Sequence, residues 1–273
     1  MLYIFTPHPI SRQETRQIGI DYNTQKVVKN RSGVNILMEI EYDGTNYAGW
    51  QYQPSKITIQ GELERALFQL YQKKIKITGA SRTDAGVSAL GQIANFNIAA
   101  LRFRNLKYFQ LSLNAILPVD ICVRKIKTVP DNFNSRYSSK GKIYQYKIIN
   151  NRSPLRQRFA WVRLCDLDLY RMRSAAKLFL NHKDYAIFCS IKDKNGEVVL
   201  RTIKINKIND EINIKVEANR FLYKMIRRIV GALIEIGRGH RIEDDIKKAL
   251  TGQKHHPLMC APAKGLMLVK VKY

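Results

Sequence analysis

Gly79-Ala80-Ser81-Arg82-Thr83-Asp84-Ala85-Gly86-Val87-Ser88-Ala89-Leu90-Gly91 is the stretch around which the rest of the chain arranges itself. Lys74-Ile75-Lys76-Ile77-Thr78 runs into it with alternating character, and Gln92-Ile93-Ala94-Asn95-Phe96-Asn97-Ile98 leads away, so the stretch reads as a loop between two strands. It holds one carboxylate, Asp84, with Arg82 two residues ahead, small residues behind it and glycines at 79, 86 and 91. Glycines so placed permit tight turns and close approach by a ligand, which is how a nucleophilic or general-base carboxylate is commonly presented. An aspartate beside glycine is also a common turn former whose side chain caps its own backbone, and spacing alone favours that plainer role.

Charge points to the kind of partner. Lysine and arginine number 47 against 22 aspartate and glutamate, a net charge of +25 spread along the chain. An excess of that size and distribution implies an extended basic surface on a folded body that meets a polyanion, nucleic acid above all. At 273 residues the chain has length for one large or two modest domains. Cys122, Cys165, Cys189 and Cys260 stand far apart with no Cys-x-x-Cys pair, and the five histidines complete no ligand set around them. Neither a disulfide framework nor a metal site is expected. No apolar run approaches the roughly eighteen residues that span a bilayer, so the expectation is a soluble protein in a reducing compartment with no membrane partner. Residues 1–33 carry Pro7, Pro9 and several polar residues without a sustained period, and read as a flexible basic N-terminal extension. Their few acids leave an organellar transit role open beside a cytoplasmic location, although the Arg-rich amphipathic helix of such peptides is missing.

The remaining chain alternates strands and helices. Val34, Ile36, Met38, Ile40 and Tyr42 share one face of a strand that enters the loop Asp43-Gly44-Thr45-Asn46-Tyr47-Ala48-Gly49-Trp50-Gln51. Ile59, Leu63, Ala66, Leu67 and Leu70 recur at helical spacing and predict a helix over 59–73 with those residues in the core. A helix over 103–113, a turn at 114–120 and a strand over 121–129 follow, and then a strand over 140–150 that carries Tyr144 and Tyr146. Tyrosines at alternate strand positions are ordinarily cross-strand packing. Further on, a helix is expected over 167–180, a hairpin of strands 201–208 and 211–218 about Asn209-Asp210, and a helix opening at Asn219. That last helix places Leu222, Met225, Ile229 and Leu233 inward and Lys224, Arg227 and Arg228 on the opposite stripe. Gly237 and Gly239 end it, residues 243–250 form another helix, and a terminal strand follows 261–266.

Arg82-Thr83-Asp84-Ala85-Gly86-Val87 resembles the signature of the tRNA pseudouridine synthase A family, in which the aspartate is the catalytic nucleophile. The chain departs from that signature at Ser81 and Ser88, where the family usually has glycine and histidine. Further blocks resemble the family in the same order: Asp43-Gly44 with Tyr47, Gly49, Trp50 and Gln51; Gln60 with Leu63-Glu64; Asn114-Ala115-Ile116-Leu117-Pro118; Arg136 and Ser138 ahead of Lys142, Tyr144 and Tyr146; Asn219 through Gly231; and Ala261 through Leu266.

The resemblance covers residues 34–273 and implies a fold and a function. The fold is α+β, the pseudouridine synthase fold: two similar halves, here 34–139 and 140–273, with mostly antiparallel sheets flanked by helices and a basic cleft between them. The function is that of an isomerase converting uridine to pseudouridine in the tRNA anticodon stem-loop, at positions 38 to 40, as a homodimer and without metal or organic cofactor. Asp84 is then the nucleophile, Arg227 its ion-pair partner and Tyr144 the ring against the target base, with Arg82 and Arg136 as RNA contacts. The rival reading is a non-catalytic RNA-binding protein or RNA chaperone descended from such a synthase.

Overall fold

The alternation of Ile36, Met38 and Ile40 places all three, fully buried, on the inner face of strand β1 (Val34–Tyr42), as the pattern predicts. The structure is a computed structural model that describes residues 33–180, 182–190, 197–254 and 256–273. Apart from Gly33, the N-terminal extension lies outside them.

Helix α1 (Ile59–Tyr71) begins where Thr58, with extended backbone, accepts the Gly61 amide at 3.2 Å, and it ends at Gln72, whose left-handed backbone sends its N–H to the Phe68 carbonyl. Strand β2 is only Thr78–Gly79, and β3 runs Ser88–Ile98. Both correct the expected boundaries. Residues 74–77 do not join the sheet, and at Ile77 side chains of α1 take the backbone groups a ladder would use: Ile77 N donates to Glu64 Oε1 at 3.0 Å, and Ile77 O accepts from Gln60 Nε2 at 3.2 Å. The organising loop ends at Val87, since Ser88 and Ala89 pair in parallel with Met267 and Leu268 of the terminal strand, a partner about 180 residues away in sequence that no local pattern encodes.

Helix α2 (Leu106–Ile116) starts later than its apolar spacing suggested, because Asn105 accepts the Tyr108 amide at 3.1 Å and sets the first turn. It also runs through Asn114, which was read as opening a turn. The Asn114 side chain instead exchanges two hydrogen bonds with Val123 of strand β4 (Ile121–Val129), pinning the helix to the sheet. Strand β5 spans Gly141–Ile149 and the short β6 Trp161–Val162. Helix α3 (Leu169–Leu178) is capped by Asp168 through the Arg171 amide at 3.0 Å, and buries Met172, Ala175 and Ala176. The hairpin of β7 (Leu200–Ile208) and β8 (Glu211–Ala218) turns at Asn209-Asp210 as expected, with Asn209 at φ 53°.

Helix α4 is Met225–Gly237, so residues 219–224 are not helical as predicted. The Asn219 side chain accepts the amides of Val199 at 2.9 Å and Arg220 at 2.7 Å, tying the segment to the hairpin side, and Lys224 turns left-handed at φ 60° before the helix begins. Helix α5 is Glu243–Leu250 and strand β9 is Leu266–Lys272.

The strands form one sheet in the order β4-β1-β3-β9-β5-β8-β7, with β2 beside β3 and β6 beside β5. All ladders are antiparallel except β3 with β9 and β5 with β6. The fold is thus α+β, with a mostly antiparallel sheet and, among the described residues, five α-helices. The order has a consequence for the site. The terminal strand lies between β3, at the end of the Asp84 loop, and β5, which carries Tyr144, so both residues sit beside one junction.

Candidate active site

Thr83 and Asp84 hold their place through a scaffold of buried groups. Ala80 N donates to Ile93 O at 2.8 Å, the Tyr42 hydroxyl meets Thr83 Oγ1 at 2.8 Å, and Trp50 N donates to Thr83 O at 3.0 Å. Gly49 explains how the 43–51 loop approaches so closely: it sits at φ +97°, and a Cβ there would meet the Thr83 carbonyl oxygen at 2.6 Å. Asp84 opens a turn closed by Val87 N on its carbonyl at 3.1 Å. Its side chain is turned across the molecule and not back onto that turn. Asp84 Oδ2 accepts from Arg227 Nη1 at 2.8 Å, and the two side chains are 13% and 15% exposed.

Arg227 is aimed by a second contact. Its Nε donates to the Ala261 carbonyl at 2.7 Å while Ala261 N donates to the Arg227 carbonyl at 3.0 Å. The segment bearing Ala261 lies against α4 because Gly231 leaves room for it; a Cβ at Gly231 would stand 2.0 Å from the Met259 carbonyl oxygen. The Tyr146 hydroxyl donates to the Pro262 carbonyl at 2.8 Å and fixes the other side of the segment. Ala261 and Gly231 belong to blocks singled out in the sequence, but nothing there assigned either a task, since both act through backbone.

The basic stripe expected on α4 does not form a single face. Arg227 is committed to Asp84, and Arg228 Nη1 donates to the carbonyls of Ile187 at 3.0 Å and Cys189 at 2.9 Å. The helix buries ten of its residues, so both arginines reach structural acceptors before they reach solvent.

Tyr144 sits on β5 with 5% of its surface exposed and its ring edge-on to Phe221 at 5.3 Å between centroids. Its hydroxyl meets Ser81 Oγ at 2.7 Å. Burial pushes the Tyr144 phenol far above the usual tyrosine range, the Ser81 hydrogen bond works against that rise, and the Asp84 charge adds to it. The resting site therefore pairs a neutral phenol with the Asp84–Arg227 couple.

One cavity of about 590 Å³ contains all five residues singled out in the sequence: Asp84, Arg82, Arg136, Tyr144 and Arg227 line it. Arg82 and Arg136 are exposed at its surface, Arg136 lying over the exposed ring of Tyr137 at 5.5 Å. Lys142, Arg220 and Lys224 also line it, and Asp84 is the sole carboxylate among its lining residues. Sequence reasoning gave Lys142 no role, although its place two residues before Tyr144 on an alternating strand puts both side chains on the same face. Lys142 as a residue is 8% exposed, and its ammonium donates to Ser139 Oγ at 3.1 Å. Burial, then the neighbouring Arg136 and Arg220, depress its pKa below the ordinary lysine value. Cations gathered this closely around one acid favour a bound polyanion.

Asp43, by contrast, is the turn former its context suggested. It accepts from Thr45 N at 3.0 Å and Thr45 Oγ1 at 2.6 Å, and its second oxygen meets Arg158 at 2.6 Å. Ser88, the second departure from the family signature, is buried and accepts the Gly44 amide at 3.0 Å, a structural contact between the two loops.

The chain is similar to known proteins over most of its length. A family profile described as tRNA pseudouridine synthase matches residues 38–138 and 175–273. A tRNA pseudouridine synthase A of Thermoanaerobacter sp. (strain X514) is 38% identical over 246 residues, covering 88% of this chain and 99% of the relative. The Aquifex aeolicus protein of the same name is 38% identical over 240 residues, covering 87% and 98%. A tRNA pseudouridine synthase A 2 of Clostridium perfringens is 37% identical over 249 residues, covering 88% and 99%.

Proposed function

Since the chain belongs to the tRNA pseudouridine synthase family, we propose that it isomerises uridine to pseudouridine in tRNA, with Asp84 as nucleophile, acting in the anticodon stem-loop at positions 38 to 40. The observation that carries this reading is the Asp84–Arg227 ion pair at 2.8 Å, in a cation-lined cavity beside Tyr144. The reaction breaks the N1–C1′ glycosidic bond, turns the uracil and joins C5 to C1′, with a proton lost from C5 and one gained at N1. A carboxylate starts it by attacking either C1′ or the base ring. Arg227 holds the Asp84 carboxylate in place through a direct hydrogen bond and opposite charge at 2.8 Å. Tyr144 offers a neutral, fixed ring for the uracil to pack on.

Arg82 and Arg136 stand at the cavity surface as RNA contacts. The target uridine leaves its stack to enter, at a cost of roughly a few kcal/mol that is offset by stacking and phosphate contacts. A homodimer holding one tRNA, a division into similar halves near residue 139 and a cytoplasmic location complete the proposal. The two separate stretches that match the family profile support the division. No helix among the described residues is long and apolar enough to cross a membrane. A protein that only bound RNA would have no need to hold a carboxylate against an arginine inside its basic cavity, so the geometry favours the enzyme. Mapping pseudouridine in tRNA incubated with the purified chain tests the assignment. Unmodified uridine at positions 38, 39 and 40 in tRNA that the protein demonstrably binds would overturn it.

A further inference from the structure

We infer that Ser81 is a positioning residue whose hydroxyl, 2.7 Å from the Tyr144 hydroxyl, ties the ring under the target base to the loop that carries Asp84. The inference rests on the functional reading above and adds to it a residue at which the chain departs from the family signature.

The contact has structural backing on both sides. On one, Ser81 is held by a buried amide: its N–H donates to Gln92 Oε1 at 3.2 Å and its carbonyl accepts from Gln92 Nε2 at 2.7 Å. Gln92 is wholly buried on β3, so the peptide at Ser81 has two fixed contacts to the sheet only three residues ahead of Asp84. On the other, the Tyr144 ring is held edge-on by Phe221, and its hydroxyl is the one polar atom of a side chain otherwise committed to the core. A buried hydroxyl without a partner costs free energy, so the Ser81 contact selects the orientation of the phenol and, through it, the tilt of the ring.

The arrangement matters because the sheet supplies no equivalent link. Strand β9 lies between β3 and β5, so the loop and the tyrosine belong to strands that do not pair with one another. Their relative position is set by the two ladders to β9 and, at the reacting end, by this hydroxyl pair, whose members are 63 residues apart in sequence. A glycine at position 81 has no group with which to make it. Ser81 therefore acts through Tyr144 and touches neither the reacting carbon nor Asp84.

The test is a double-mutant cycle of Ser81→Ala and Tyr144→Phe, read by single-turnover pseudouridine formation in tRNA and by tRNA affinity on the same preparations. Ser81→Ala is expected to slow turnover by about three- to tenfold, the range of one net hydrogen bond, with tRNA affinity within about twofold of the parent. In the Tyr144→Phe background, where the phenol is already gone, the same substitution has no further effect. Ser81→Thr, which keeps the hydroxyl, restores the rate. Unchanged turnover in Ser81→Ala, an equal loss in the Tyr144→Phe background, or a loss confined to tRNA affinity overturns the inference. An inactive parent chain would bring down the functional reading and this inference together, whereas an active parent with an uncoupled cycle brings down the inference alone.

Discussion

Replacing Arg227 with methionine keeps the length and apolar stem of the side chain on α4 while removing the charge that Asp84 faces. At 2.8 Å, two unit charges attract by about 6 kcal/mol at the effective dielectric near 20 that suits such sites. Desolvation of both groups offsets much of that, so the pair itself is worth far less. What the substitution leaves behind is the larger effect: a carboxylate 13% exposed with its arginine gone, and an Ala261 carbonyl without its guanidinium donor. Losing one member of a buried pair costs roughly 3–5 kcal/mol, and partial exposure places this site toward the lower figure. At roughly 2–4 °C per kcal/mol for a domain of this size, melting should fall by about 6–12 °C. Adding Asp84→Asn removes the stranded charge, so the double variant should recover most of that loss while staying inactive. Thermal unfolding of the parent, the two singles and the double, beside a pseudouridine assay on each, measures the cycle. Normal turnover by folded Arg227→Met, or a double variant less stable than Arg227→Met alone, would refute the pairing as the reason for Arg227.

Asp84→Asn alone is nearly isosteric and retains the turn closed by Val87, so pseudouridine formation should vanish while tRNA affinity stays within about threefold of the parent; retained turnover would remove the nucleophile assignment. With a net charge of +25 facing a polyanionic substrate, tRNA affinity should fall on the order of tenfold or more between 50 and 200 mM salt, and a flat salt profile in filter binding would contradict it. Lys142→Met should separate stability from binding. The folded-state pKa of Lys142 lies below its unfolded value, so protonating it opposes folding at neutral pH, and that penalty is relieved as pH rises towards the ordinary lysine pKa. The variant should therefore melt above the parent at neutral pH, with the gain shrinking towards pH 10, yet bind tRNA more weakly; a lower melting temperature with unchanged affinity would overturn the reading of Lys142 as a cation held for RNA.

Much of this molecule is legible in the linear chain, and the reason is periodicity. Strands β1, β4, β5, β7 and β8 and helices α1 and α5 lie close to where alternation or helical spacing puts them, because each buries one face against a core and the side chains must follow that geometry. The two loop aspartates were not separable by that means. Asp43 and Asp84 both stand near glycines in loops, and only a family signature picked out the second. What distinguishes them physically is the partner each finds: Thr45 and Arg158 for one, Arg227 from 143 residues away for the other.

The boundaries that local pattern missed share one cause. Ile77 stays out of the sheet because Gln60 and Glu64 take its backbone groups, β3 starts early because β9 arrives beside it, and α4 starts late because Asn219 is held by Val199. Each is decided by a hydrogen-bonding partner supplied from elsewhere in the fold. The same holds inside the site. Alternation put Tyr144 on a strand and composition made the cleft basic, but the Ser81–Tyr144 contact, the Ala261 carbonyl that aims Arg227 and the burial of Lys142 depend on where β9 and α4 bring distant backbone. A sequence encodes which residues seek burial or pairing; which groups then meet is settled only when the sheet closes, because a hydrogen bond requires two particular atoms within about 3 Å and no periodicity specifies the second.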